Sequence, residues 1–157
     1  MENNNKAFVL GARSLANLKG VDERLVRVVK RAIEITSVDF TVIEGVRTRE
    51  QCMVNYGKGR TAAECAAKNV PASYAKPSVA KVTWLNNPFA SKHVTGHAVD
   101  LLPSTGWNNL TSFDVVAKAM LTAAKELGIS IRWGADWDKD GKPREKGETD
   151  SPHFELD

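Results

Sequence analysis

The chain is poor in cysteine, short of aromatic residues, nearly balanced in charge and without a long apolar run. Its two cysteines, Cys52 and Cys65, are too few for a disulfide framework and lack the spacing of a CxxC metal or redox pair. They read as reduced, partly buried thiols. No apolar stretch approaches the roughly 20 residues that a membrane helix needs. Met1–Lys6 is polar and offers no apolar core for a signal peptide. The net charge of +3 would help an approach to an anionic polymer, but it is too small to argue for nucleic acid. The four tryptophans show no basic-aromatic pattern. Internal repeats, low-complexity segments and convincing linkers are lacking too. What remains is 42% hydrophobic and 26% charged residues over 157 positions, the composition of one soluble domain able to bury a core.

Periodicity places helices first and a small sheet around them. Leu25, Val28, Val29, Ala32 and Ile33 have the spacing of an amphipathic helix over 21–35. Phe40–Ile43 reads as a strand. Thr48 to Gln51 and Thr61 to Glu64 are capping boxes, opening one helix that stops near Gly57 and a short one that ends near Asn69. Residues 69–92 carry Pro71, Pro77 and Pro88 and little periodicity. A loop of that length is often functional, and with Trp84 it is expected to help shape a cleft. Val99, Leu101 and Leu102 suggest a strand. Thr111–Leu127 is the clearest helix. Thr111 and Asp114 are its candidate caps, Phe113, Val116, Ala117, Met120, Leu121 and Ala124 form one face, and Gly128 is its stop. Ile129–Trp133 and His153–Leu156 read as strands.

The chemistry concentrates in Ser91-Lys92-His93-Val94-Thr95-Gly96-His97-Ala98-Val99-Asp100. His93 and Asp100 flank a glycine bend that enters an apolar run. Catalytic zinc takes three protein ligands and leaves a position for water. His93, Asp100 and His153 would make that set. On spacing alone they could equally be a surface histidine, a solvated aspartate and an unrelated terminal histidine. His97, four residues after His93, would suit a helix, but Gly96 and the β-branched Val94, Thr95 and Val99 argue against one, so His97 is left off the ligand set. Asp150 lies three residues before His153, where a carboxylate can sit beside a metal without ligating it and exchange protons with water and a leaving amine. Otherwise it is a loop aspartate before a Ser-Pro turn. Arg47 follows the first strand and could stabilise an oxyanion, although a lone arginine is more often solvated.

These blocks carry a resemblance. Ser91–Asp100 resembles the S-x-H-x-x-G-x-A-x-D signature of VanY/VanX-type zinc peptidases, the D-Ala-D-Ala carboxypeptidase family. Gly45-Val46-Arg47-Thr48, Trp133-Gly134-Ala135-Asp136-Trp137 and Asp150-x-x-His153 resemble that family's other blocks. Their order and spacing are most similar to phage endolysins of the L-alanyl-D-glutamate peptidase type, over roughly residues 20–157. The resemblance implies an α+β, Hedgehog/DD-peptidase-like fold, with a small antiparallel sheet carrying the zinc site and helices flanking it. It implies zinc on His93, Asp100 and His153. It also implies Asp150 as general base and acid, where many relatives use the longer Glu, Arg47 on the tetrahedral intermediate, and Ser91 as support near the substrate. The expected whole is one catalytic domain over 1–157, acting as a monomer. It would cut peptidoglycan stem peptides at L-Ala–D-Glu and reach the wall from the host cytoplasm through a holin-type lesion, with no nucleic-acid partner and no membrane insertion. A D-Ala-D-Ala carboxypeptidase or dipeptidase, or a non-catalytic Hedgehog-like zinc-binding domain, are the alternatives.

Asp136, Asp138, Asp140 and Gly141 look like the first half of an EF-hand calcium loop. The twelfth position is Gly147 rather than a bidentate Glu, with Glu148 adjacent. A solvated acidic turn is therefore the favoured reading, and bound calcium the alternative.

Overall fold

The computed structural model describes residues 7–157; the polar N-terminus on which the signal-peptide expectation rests lies outside the described residues. The chain divides into two compact units. One comprises residues up to Val46 together with Gly96–Asp157, and the other Arg47–Thr95.

The first unit is a four-stranded antiparallel sheet with helices. In chain order it has α1 (Ala12–Asn17), α2 (Glu23–Ile35), β1 (Phe40–Glu44), β2 (Ala98–Pro103), α5 (Leu110–Leu127), β3 (Ile131–Trp133) and β4 (His153–Leu156). The strand order is β1-β2-β4-β3. The predicted stripe of α2 is buried, and Asp22 caps the helix by accepting from the Arg24 N–H at 2.9 Å. With the inner faces of β1, β2, β4 and α5 it makes one core, in which Leu25, Val42, Leu101, Met120 and Phe154 are almost wholly enclosed. At about 1.5–3 kcal/mol for each enclosed large apolar side chain, this core gives the strands that carry the site a stiff support.

Three expectations need correction. The cap of α5 is Asn109, which accepts from the Ser112 N–H at 3.1 Å, rather than Thr111 or Asp114. The helix therefore begins one residue earlier, at Leu110. Leu121 is 42% exposed at the edge of the apolar face, and Ala123 is buried instead. The short helix α1 carries no long apolar stripe and escaped the periodicity reading altogether.

The second unit holds α3 (Arg49–Gly57), α4 (Ala62–Ala67) and a 3-10 turn at Ala72–Tyr74. Both capping boxes are formed. Tyr56, Cys65 and Val70 make its small core, with Met53, Tyr74 and Phe89 packed around them. Cys52 and Cys65 are buried more completely than the sequence suggests, and neither is in a disulfide.

Candidate metal centre and acidic loop

The sheet places Asp100 and His153 opposite each other. They are register partners on the antiparallel strands β2 and β4, and side chains at paired positions lie on one face of a sheet. His153 Nδ1 is 3.3 Å from Asp100 Oδ1 and 3.8 Å from Asp150 Oδ2. Glu155, two residues on and hence on the same face of β4, reaches His153 Nε2 at 2.8 Å. An ionised carboxylate only accepts, so Nε2 carries the hydrogen and Nδ1 is turned toward Asp100. This carboxylate–imidazole pairing is how proteins orient a metal-ligating histidine. The Trp137 ring lies 5.4 Å from the imidazole, centroid to centroid.

Burial lowers the His153 pKa, but hydrogen bonds to Asp100 and Glu155 and the charges of Asp100 and Asp150 outweigh it, raising the value to about 9. The imidazolium thus balances three surrounding carboxylates. A metal cation could take over that role, releasing the proton.

A close approach at Gly134 fixes the turn that delivers Asp150 and His153. Gly134 N–H donates to His153 O at 2.7 Å, and Asp150 N–H donates to Gly134 O at 3.1 Å. A Cβ at Gly134 would stand 2.3 Å from Asp150 O and 3.0 Å from His153 Cβ. Trp133 Nε1 donates to Ser151 O at 2.7 Å and pins the same turn from the other side. Asp150 itself is 53% exposed.

Gly96 has φ +78°, and a Cβ there would come within 2.6 Å of Gly20 O. Its carbonyl accepts from the Asp22 N–H at 2.8 Å, so the bend is tied to the start of α2. His97 is 40% exposed, with Nε2 3.6 Å from the Asp22 carboxylate.

In the second unit, His93 is almost completely buried. Its N–H donates to Ser91 Oγ at 3.2 Å, and its carbonyl accepts from the Arg47 N–H at 2.9 Å. Ser91 and Arg47 therefore both hold the backbone around His93. His93, Asp100 and His153 are each of a donor type that can ligate a metal ion, and the two histidines are buried.

Asp136, Asp138, Asp140 and Glu148 form a group able to hold a metal ion, with their ligand atoms all within 4.8 Å of one another. Backbone N–H groups curl the loop around these carboxylates. Asp140 and Gly141 donate to Asp136, Lys142 donates to Asp140, and Asp138 donates to Glu148 Oε2 at 3.1 Å. Glu148 is a buried residue, and its Oε1 has no hydrogen-bond partner among the described residues. Burial raises the pKa of Asp136. Glu145 is raised to about 7, by its hydrogen bond to Asp140, by burial and by the neighbouring charges of Asp140, Asp138 and Glu148. The 12-residue frame thus fails by a single position: the loop closes on Glu148 rather than on residue 147. Left-handed conformations at Lys139 (φ 57°) and Arg144 (φ 63°) accommodate the longer path.

Glu155 is not singled out by the sequence reading, although an acid two positions from His153 on a strand shares its face. Glu148 stands there only as the neighbour of the loop's twelfth position.

The family model for phage L-alanyl-D-glutamate peptidases matches residues 6–75 and 73–157. The chain is 34% identical to the L-alanyl-D-glutamate peptidase of Escherichia phage T5, over 96% of this chain and 98% of that protein. Among solved structures it is similar to the Serratia marcescens L-Ala D-Glu endopeptidase ChiX. The TM-score is 0.62 at 28% identity, covering 99% of this chain and 94% of that one.

Proposed function

The chain belongs to the phage L-alanyl-D-glutamate peptidase family, and we propose that it is a phage endolysin that uses zinc to cut peptidoglycan stem peptides at L-Ala–D-Glu. The observation that carries the metal is the facing Asp100–His153 pair with Glu155 on the far ring nitrogen. Two imidazoles and a carboxylate suit zinc, so His93, Asp100 and His153 are assigned as its ligands. Bound zinc would supply Lewis-acid polarisation and acidify water.

The rest of the work falls to this chain's own side chains. Asp150 takes a proton from the attacking water as the water oxygen bonds to the L-Ala carbonyl carbon. The carbonyl oxygen becomes anionic, and Arg47 is assigned to hold it. The C–N bond then breaks, and Asp150 returns the proton to the departing D-Glu nitrogen. Glu155 keeps His153 in one tautomer and one orientation throughout. Ser91 acts on His93 through its backbone, as a positioning residue.

The acidic loop is assigned a divalent cation of calcium type. Hard oxygen donors suit calcium, and a buried carboxylate oxygen lacking a donor, Glu148 Oε1, is the observation that favours it over a solvated turn. The Hedgehog/DD-peptidase relationship of the fold, and passage to the wall through a holin-type lesion, belong to the same proposal. No helix among the described residues is long and apolar enough to cross a membrane.

Mass spectrometry of digested muropeptides tests the reading. Release of the stem from L-Ala with a new D-Glu amino terminus supports it. Loss of a terminal D-Ala alone would replace it with the carboxypeptidase alternative. Lysis unchanged by Asp150→Ala would remove catalysis by this site.

A further inference from the structure

The two units differ sharply in charge. Between Arg47 and Thr95 the chain places eight of its 22 Lys and Arg residues but two of its 19 acids, Glu50 and Glu64. That segment is +6 in 49 residues, and the remainder is −3. A net +3 for the whole chain conceals this.

Within the second unit the fold sets lysines side by side. Lys58 and Lys76 are bridge partners, joined by Lys76 N–H to Gly57 O at 2.9 Å and Gly59 N–H to Lys76 O at 2.8 Å. Lys81 packs directly over Gly59. Like charges at paired positions destabilise a pairing. The Glu64 carboxyl is lowered mainly by its hydrogen bonds to Thr61, and more weakly by the charges of Lys81 and Arg60.

The segment next to these lysines is held rather than loose. The buried Arg60 donates from Nη1 to Tyr56 O at 2.9 Å and from Nη2 to Thr83 O at 2.8 Å, and its guanidinium stacks on the Tyr56 ring at 4.0 Å. Thr83 is thereby fixed, and its neighbours Val82 and Trp84 are presented to solvent; Trp84 is 76% exposed. Lys68 Nζ donates to Asn86 Oδ1 at 2.9 Å beyond it.

We propose that Lys58, Lys76, Lys81 and Trp84 form a docking platform for the anionic glycan-peptide polymer, distinct in role from the groups that cut it. The proposal rests on the peptidoglycan reading above. Glutamate-bearing stems repeat along such a polymer and give it many carboxylates, which complement the +6 unit. Its sugar rings offer flat C–H faces to an exposed indole. The segment is held at Thr83 by Arg60, and its exposed side chains mix apolar Val82, Trp84 and Leu85 with polar Asn86 and Asn87, so the vesicle arm of the test below separates a sugar strand from a bilayer.

The test uses full-length Asp150→Ala protein sedimented with purified sacculi, so that binding is read without cutting. Trp84→Ala should weaken binding about two- to tenfold, the range of one aromatic contact. K76E/K81E should weaken it about tenfold at low ionic strength, with the loss shrinking in high salt. Trp84→Phe should retain most of the binding. In the active protein, the same substitutions should lower kcat/KM on sacculi by a clearly larger factor than on a soluble L-Ala–D-Glu tripeptide. All the altered side chains are at the surface, and an unchanged Tm verifies folding. Unaltered sacculus binding would overturn the platform. So would an equal loss on the tripeptide, or Trp84-dependent binding to phosphatidylglycerol vesicles without sacculus binding. Failure of the unaltered enzyme to cut the tripeptide would instead count against the peptidase reading alone.

Discussion

Around His153, carboxylates from two strands and a turn gather on an imidazole that can carry their counter-charge. In the loop from Asp136 to Glu148, carboxylates gather on one another and on backbone N–H groups. The first cluster is set by sheet register and by the Gly134 approach, so its geometry survives without a metal. The second is set by turn conformation and carries the cost of like charges at close range. The difference separates two uses of a metal. At the sheet a cation would replace a proton in a frame already built; in the loop it would complete the frame.

The largest effect should come from Asp150, the group assigned to move protons at the sheet. Asp150→Ala should lower the rate of muropeptide release by about 10²–10⁴-fold, the usual contribution of a positioned acid or base. Its zinc content, measured by elemental analysis, should stay unchanged, because Asp150 is not assigned as a ligand. Loss of zinc together with activity would move Asp150 into the coordination set and collapse the distinction between orienting and reacting carboxylates.

Glu155→Gln tests whether the sheet site is preorganised. A neutral amide no longer secures the Nε2 hydrogen of His153, and zinc affinity should fall about 10- to 100-fold, read by competition with a chelator. Gly134→Ala presses on the same frame from the backbone side. The added methyl meets Asp150 O and His153 Cβ, and overpacking of this kind costs about 1–3 kcal/mol. Thermal unfolding and zinc affinity should both decline; wild-type values in both would show that the turn yields more readily than its contacts suggest.

How far the sequence could be read follows the same division. Elements with strong local signals were legible: the apolar stripe of α2, the two capping boxes, the Gly128 stop of α5, and strands β1, β2 and β4. Asp100 and His153 were marked from donor type and resemblance, but their pairing across β2 and β4 is a matter of register, which no local pattern encodes. The α5 cap was misread because Asn109, Thr111 and Asp114 are all competent cap residues. Only the three-dimensional start of the helix selects among them. Leu121 was misplaced because an apolar residue at the margin of a helical stripe is decided by what packs beside it. Glu148 falls one position outside the 12-residue frame, which assumes ideal loop geometry.

Glu148→Gln addresses the acidic loop, where the expected change is smallest and its sign is most informative. Without calcium, the substitution removes one negative charge from a crowded cluster while keeping an acceptor for the Asp138 N–H. The variant should then be as stable as the parent or slightly more so. With calcium at about 100 times its dissociation constant, binding to the native state should stabilise the parent by about 2.7 kcal/mol. For a domain of this size that is roughly 5–10 °C in Tm. The variant has lost a charged oxygen donor and should show less than about half of that shift. Opposite signs in the two conditions are what a cation site requires and what a solvated turn cannot produce. A parent Tm indifferent to calcium would return the loop to a solvated acidic turn.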